Sequence, residues 1–205
     1  TGCSDYGDVL IMPVVGKPVF DNQEYSSHFK KDRETAKAGY YQVFLEKPKV
    51  LAELTSTTRV GYHRYTFQQT DEAGIVIDLK HRDKVTDSWI EVVSETEIRG
   101  LRRSSNWAND MVWYFHIEFS KPFVQVQFAN NEELPHDQKK IQGTDIKAFV
   151  SFKTANNEAI EIKVALSAVD CDGALKNLRA EIPGWNFSET SQKAFQLWNQ
   201  ELSKI

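Results

Sequence analysis

The sequence predicts an all-β protein, an antiparallel β-sandwich with short C-terminal helices. Three observations carry this prediction. Apolar residues recur at every second position along most of the chain, which is the spacing of half-buried strands. The segments so marked are short and joined by polar turns. No helical segment alternates with them, so the βαβ units of a parallel sheet are missing.

In order, Asp8 to Val15 reads as a short buried strand and Gly39 to Leu45 as a second. Val50 to Ser56 alternates cleanly and pairs with Arg59 to Phe67 across Thr57-Thr58. Gly74 to Leu79 is apolar enough for a central strand. Trp89 to Val93, Ile98 to Arg103, Met111 to Phe119 and Val124 to Phe128 follow, and Lys147 to Lys153 and Ala159 to Ala168 bring the total to about eleven. Two long polar loops interrupt the series, Pro18 to Ala38 and Asn130 to Gly143; loops of that length are often functional. The tail changes character. Asp172 to Glu181 has helical composition and stops at Pro183-Gly184. Ser188 is expected to cap a second helix, with Ala194, Leu197, Trp198 and Leu202 on one stripe. That stripe either packs back on the sandwich or continues toward a further domain. The division expected is 1–183 for the sandwich and 184–205 for a linker helix.

The chain has 205 residues, 40% of them hydrophobic and 12% aromatic, enough for a sizeable core. Its net charge of -4 argues against nucleic-acid binding, which needs clustered Lys and Arg. The basic pairs Lys30-Lys31, Arg102-Arg103 and Lys139-Lys140 read as solvated edges or turns. No apolar run has the length of a membrane span. Thr1-Gly2-Cys3 is not a translation start, so sequence is expected upstream of it. Cys3 and Cys171 are too few for a disulfide framework and are expected to be free thiols.

Three groups of acidic residues could serve chemistry: Asp5 with Asp8, Asp83 in His81-Arg82-Asp83, and Asp170 with Asp172. Each reads more simply as turn or cap residues. Asp170 to Gly173 resembles the start of a calcium loop without its later ligands, and is taken as a turn. The histidines at positions 28, 63, 81, 116 and 136 lack metal-ligand spacing; His63 and His116 read as strand residues with local partners. No nucleophile elbow or phosphate loop is present. No catalytic or metal-binding residue is therefore assigned to this chain. Among the tryptophans, Trp89 and Trp113 are expected in the core and Trp107 in an exposed turn.

Several stretches together resemble the N-terminal domain of family 92 glycoside hydrolases, bacterial exo-α-mannosidases. They are Thr1 to Pro13 (TGCSDYGDVLIMP), Gly39 to Leu45 (GYYQVFL) running through Ala52 to Thr55 (AELT) to Arg59 to Phe67 (RVGYHRYTF), and Ile98 to Ser104 (IRGLRRS) continuing to Trp107-Ala108 and Phe119 to Phe123 (FSKPF). Ala174 to Leu178 (ALKNL) and Gly184 to Phe187 (GWNF) add to them, so that the resemblance covers nearly the whole chain. It implies a supersandwich of galactose mutarotase-like type packed on an (α/α)₆ domain of the same polypeptide, with the mannose site between them. It implies a calcium-dependent inverting enzyme acting on mannose-containing glycans in the periplasm or at the bacterial cell surface. The acid, the base and most calcium ligands would lie beyond Ile205, and this chain would bind no calcium itself. Sequence upstream of Thr1 would help form the sugar pocket, so Gly2, Cys3, Ser4 and Asp5 are expected to approach the substrate. An autonomous carbohydrate-binding module and a purely structural sandwich are the alternatives.

Overall fold

The computed structural model describes residues 7–133 and 138–204. Fourteen strands are found among them: β1 (Leu10–Val15), β2 (Glu34–Lys37), β3 (Tyr40–Leu45), β4 (Val50–Ser56), β5 (Val60–Phe67), β6 (Thr70–Asp78), β7 (Lys84–Val92), β8 (Glu97–Ser105), β9 (Met111–Phe119), β10 (Gln125–Asn130), β11 (Glu132–Glu133), β12 (Lys140–Gly143), β13 (Ile146–Thr154) and β14 (Glu158–Ser167). The helices are α1 (Asn22–Tyr25), α2 (Cys171–Glu181) and α3 (Phe187–Leu202).

The strands form two antiparallel sheets, one of five in the order β1-β6-β13-β10-β11 and one of nine in the order β12-β7-β8-β9-β14-β5-β4-β3-β2. All eleven expected strands are present. The three additional ones, β2, β11 and β12, are short, arise in the two long polar loops and end their sheets. An edge strand pairs on one side only, so its residues carry little of the alternation that marks a buried strand.

The alternation has a direct physical outcome. Ile75, Ile77, Ala148, Val150 and Phe152 of the small sheet meet Val50, Ala52, Phe67, Ile98, Phe115, Ile117, Ile160 and Ile162 of the large one. Fully burying a side chain of this size is worth about 1.5–3 kcal/mol. The outer faces are covered too. The loop holding α1 drives Tyr25 onto Val76 and Phe149 of the small sheet. Helices α2 and α3 cover the large sheet, where Ala174, Leu178, Ile182 and Phe187 pack on Val60, Tyr62 and Ala165.

The tail corrects the expected cap. Helix α3 begins at Phe187, two residues early, because Asn186 rather than Ser188 is its N-cap. The Asn186 side chain accepts from the Glu189 amide at 3.1 Å and donates to the Glu189 carboxylate at 3.0 Å, a reciprocal pairing that Ser188 and Ser191 do not offer. The early start places Phe187 edge-on against Tyr62, ring centroids 5.2 Å apart. Of the apolar stripe, Ala194 is buried while Leu197, Trp198 and Leu202 stay exposed. Ala194 is drawn close by Gly39, whose φ of +74° permits the tight turn before β3. A Cβ added there would stand 2.8 Å from the Ala194 carbonyl carbon.

Two further expectations change. Arg102 is not on a solvated edge but fully buried, whereas Arg103 is exposed. Trp89 and Trp113 are half-buried rather than core. Trp89 follows the outward parity of β7, opposite to the buried Ile90, and lies under Lys140, whose Nζ is 4.4 Å from the indole centroid.

Candidate functional site

On β8 the inward parity runs Ile98, Gly100, Arg102, Ser104, and it carries a guanidinium into the end of the sandwich where β1 begins. A buried charge must be paired and its donors satisfied. Arg102 Nη1 donates to Asp8 Oδ1 at 2.6 Å and to Ser104 Oγ at 2.9 Å. Nε donates to the Leu79 carbonyl at 2.7 Å, and Nη2 donates to the Arg82 carbonyl. One side chain thus ties the residues before β1, the turn after β6 and the end of β8.

A second buried group fixes the same turn. Asp78 Oδ1 accepts from the amides of Lys80 and His81, at 2.7 and 3.1 Å, and Oδ2 accepts from the Tyr25 hydroxyl at 2.7 Å. Burial, reinforced by this carboxylate, pushes the Tyr25 hydroxyl well above the ordinary phenol range. His81, on the turn, is held below its usual pKa chiefly by burial, which the nearby Asp78 partly opposes.

The turn then meets the β8–β9 hairpin. Asp83 adopts φ +59°, and its Oδ1 accepts from Asn106 Nδ2 at 2.8 Å. Arg103 grips Asp110 with two bonds of 2.6 Å. Between these braces the hairpin tip presents Trp107, 80% exposed, as the sequence anticipated.

Three of the acidic residues singled out in the sequence take structural roles, while Asp172 is exposed in the first turn of α2. Asp8 is committed to Arg102, Asp83 to Asn106, and Asp170 caps α2 by accepting from the Gly173 amide at 2.6 Å. None of these is posed as an acid facing a base. His63 has the local partner expected, its Nδ1 lying 2.7 Å from the Tyr65 hydroxyl, whereas His116 Nε2 is buried without a hydrogen bond among the described residues, 3.5 Å from Glu97. Among the described residues no group of three or more His, Cys, Asp or Glu is placed to hold a metal ion. Cys171 is a free thiol, and burial raises its pKa. Gly2, Cys3, Ser4 and Asp5 lie outside the described residues.

Two other features could receive a ligand or partner. A cleft of about 670 Å³ beside the N-terminus of α2 is lined by Arg59, Trp113, Asp170, Lys176 and Asn177, among others. Helix α3 is flanked by clefts of about 590 and 600 Å³ that share Ser56 and Trp198. The sequence reading missed the Arg102 hub. The available signal was parity, since Arg102 falls in step with Ile98 and Gly100.

Residues 1–167 match the family model for the glycosyl hydrolase family 92 N-terminal domain. The chain belongs to glycosyl hydrolase family 92. Its fold superposes on that of a family GH92 α-mannosidase from Bacteroides thetaiotaomicron with a TM-score of 0.91 and 31% identity, covering 100% of this chain and 29% of that one. The same mannosidase has been solved in complex with mannoimidazole. A family GH92 inverting mannosidase from Bacteroides thetaiotaomicron VPI-5482 shares the fold at a TM-score of 0.85 and 23% identity, over 95% of this chain and 26% of that one. An uncharacterized secreted glycosidase of Arthroderma benhamiae is 24% identical over 220 residues, 93% of this chain and 28% of its own length. This family 92 chain therefore spans less than a third of the relatives it matches.

Proposed function

We propose that this chain is the substrate-shaping N-terminal domain of an inverting exo-α-mannosidase that acts on mannose-containing glycans. The observation that carries the reading is the 31% identity, across the whole chain, to an α-mannosidase that also binds mannoimidazole. The geometry supports a shaping role. Inversion needs one carboxylic acid at the leaving oxygen and one carboxylate behind a water, roughly 6.5–9.5 Å apart. Asp8, Asp83 and Asp170, singled out for chemistry, instead bond a guanidinium, an amide and a helix N-terminus. What Arg102 and Asp78 do is hold three segments rigidly at one end of the sandwich, so that polar groups there meet a sugar without reorganising.

In this reading Gly2 to Asp5, which precede the Arg102-bound Asp8, approach the released mannose. The acid and base belong to an (α/α)₆ domain of the same polypeptide, and α3 leads toward it. The uncovered Leu197, Trp198 and Leu202 of α3 supply an apolar face suited to that contact. Calcium, bound by that other domain, would supply Lewis-acid and positioning chemistry. The secreted relative supports action outside the cytoplasm, in the periplasm or at the cell surface.

The test is aryl α-mannoside release with and without added calcium, by this chain and by the longer polypeptide carrying it. The longer form is expected to turn over and the chain alone to be inert. Comparable turnover by the chain alone would overturn the division of labour, and an inert longer form would overturn the mannosidase reading.

A further inference from the structure

The hairpin tip carries an indole that the fold does not need. Trp107 is 80% exposed, yet its flanks are braced by hydrogen bonds on both sides. Asn106 is bonded to Asp83, Arg103 to Asp110, and the Asn106 amide donates to the Ala108 carbonyl at 3.0 Å. Beneath them Ser104 is held by the buried Arg102. Such an indole is pre-organised, and a ligand meeting it pays little to order the loop.

Its surroundings indicate the ligand. No other large exposed apolar side chain lies on this hairpin, and Asn106, Asn109 and Asp110 around it are exposed. A macromolecular contact face looks different: α3 exposes Phe195, Trp198 and Leu202 at the i, i+3, i+7 spacing of one helix face. A single exposed aromatic on a polar turn, with the exposed amide of Asn109 two residues away, matches a pyranose instead. The face of an indole is electron-rich, so it attracts the polarised C–H bonds on one side of a sugar ring. The exposed Asn109 amide, two residues from it on the same tip, can satisfy sugar hydroxyls.

We propose that Trp107 is a stacking platform for a pyranose unit of the mannose glycan, remote from the unit being released, with Asn109 at its edge. The inference rests on the mannosidase reading and adds a subsite to it. The hairpin shares the Arg102 hub with Asp8, so a glycan held near the start of β1 can extend onto it.

Two measurements test this. In the 205-residue chain, the indole N–H signal of Trp107 is identified by its loss in W107A and titrated with an α-linked mannose oligosaccharide. The signal is expected to shift saturably; no shift at high millimolar sugar overturns the proposal. In the longer polypeptide, W107A is expected to raise KM for the oligosaccharide about tenfold, leaving kcat and the KM for a small aryl α-mannoside within twofold; W107F should recover most of the loss. Equal losses on both substrates, or none on either, overturn the subsite. If the longer polypeptide cleaves neither substrate, the mannosidase reading fails, and the titration alone still decides whether Trp107 binds the sugar.

Discussion

Arg102 Nη1 and Asp8 Oδ1 lie 2.6 Å apart between side chains that are 0% and 1% exposed, which makes this ion pair the most completely desolvated one in the described structure. The pair joins the start of β1 to β8 across 94 positions of sequence. Removing one partner leaves the other charged and dry. R102M should therefore cost about 3–5 kcal/mol of folding stability, and D8N, which keeps an acceptor, about 1–3 kcal/mol. Urea midpoints read the order. A D8N loss equal to or above that of R102M would contradict the hub assignment.

The Gly39 turn gives a second prediction. G39A adds a Cβ that would stand 2.8 Å from backbone atoms of Ala194 and Phe195, at a φ of +74°. Helix α3 should lift away, at a cost above ~1 kcal/mol. Limited proteolysis should then cut within 187–202 earlier than in the wild type. Unchanged protection would mean that α3 does not depend on this close approach.

Acid should destabilise the domain through His63, whose pKa burial pushes down to about 4. A depressed histidine contributes stability that is full above its unfolded value near 6.5 and is lost as pH falls toward the folded value. Between pH 6.5 and 4 the loss from this residue should reach about 2–3 kcal/mol. H63Q should flatten that part of the stability profile. An identical acid slope in H63Q would assign the sensitivity elsewhere, His116 being the next candidate, since burial lowers its pKa too.

Thiol chemistry offers a direct check on the cysteines. Cys171 donates to the Gly100 carbonyl at 3.4 Å, and burial raises its pKa, so it should react slowly with a disulfide reagent in the folded chain. Under denaturing, non-reducing conditions two thiols should titrate. Finding none would establish a bridge to Cys3.

Local pattern alone determined most of the fold. Eleven strands, their antiparallel pairing and the two terminal helices follow from side-chain periodicity and polar turns, because a half-buried strand must alternate wherever it lies. The exposed Trp107 was legible for the same reason, sitting among turn residues. Tertiary structure decided what depends on contacts between distant segments. Arg102 reads in sequence as a surface charge beside Arg103, and only the meeting of β8 with Asp8 and the 79–83 turn explains how a guanidinium is stable in the interior. Edge strands β2, β11 and β12 exist because a neighbour supplies their hydrogen bonds, which their own residues do not advertise. Helix α3 starts at Phe187, capped by Asn186, and the ring that Phe187 packs against is that of Tyr62, more than a hundred residues earlier. Parity says which way a side chain points, but its partner is set by a chain crossing that no local pattern records.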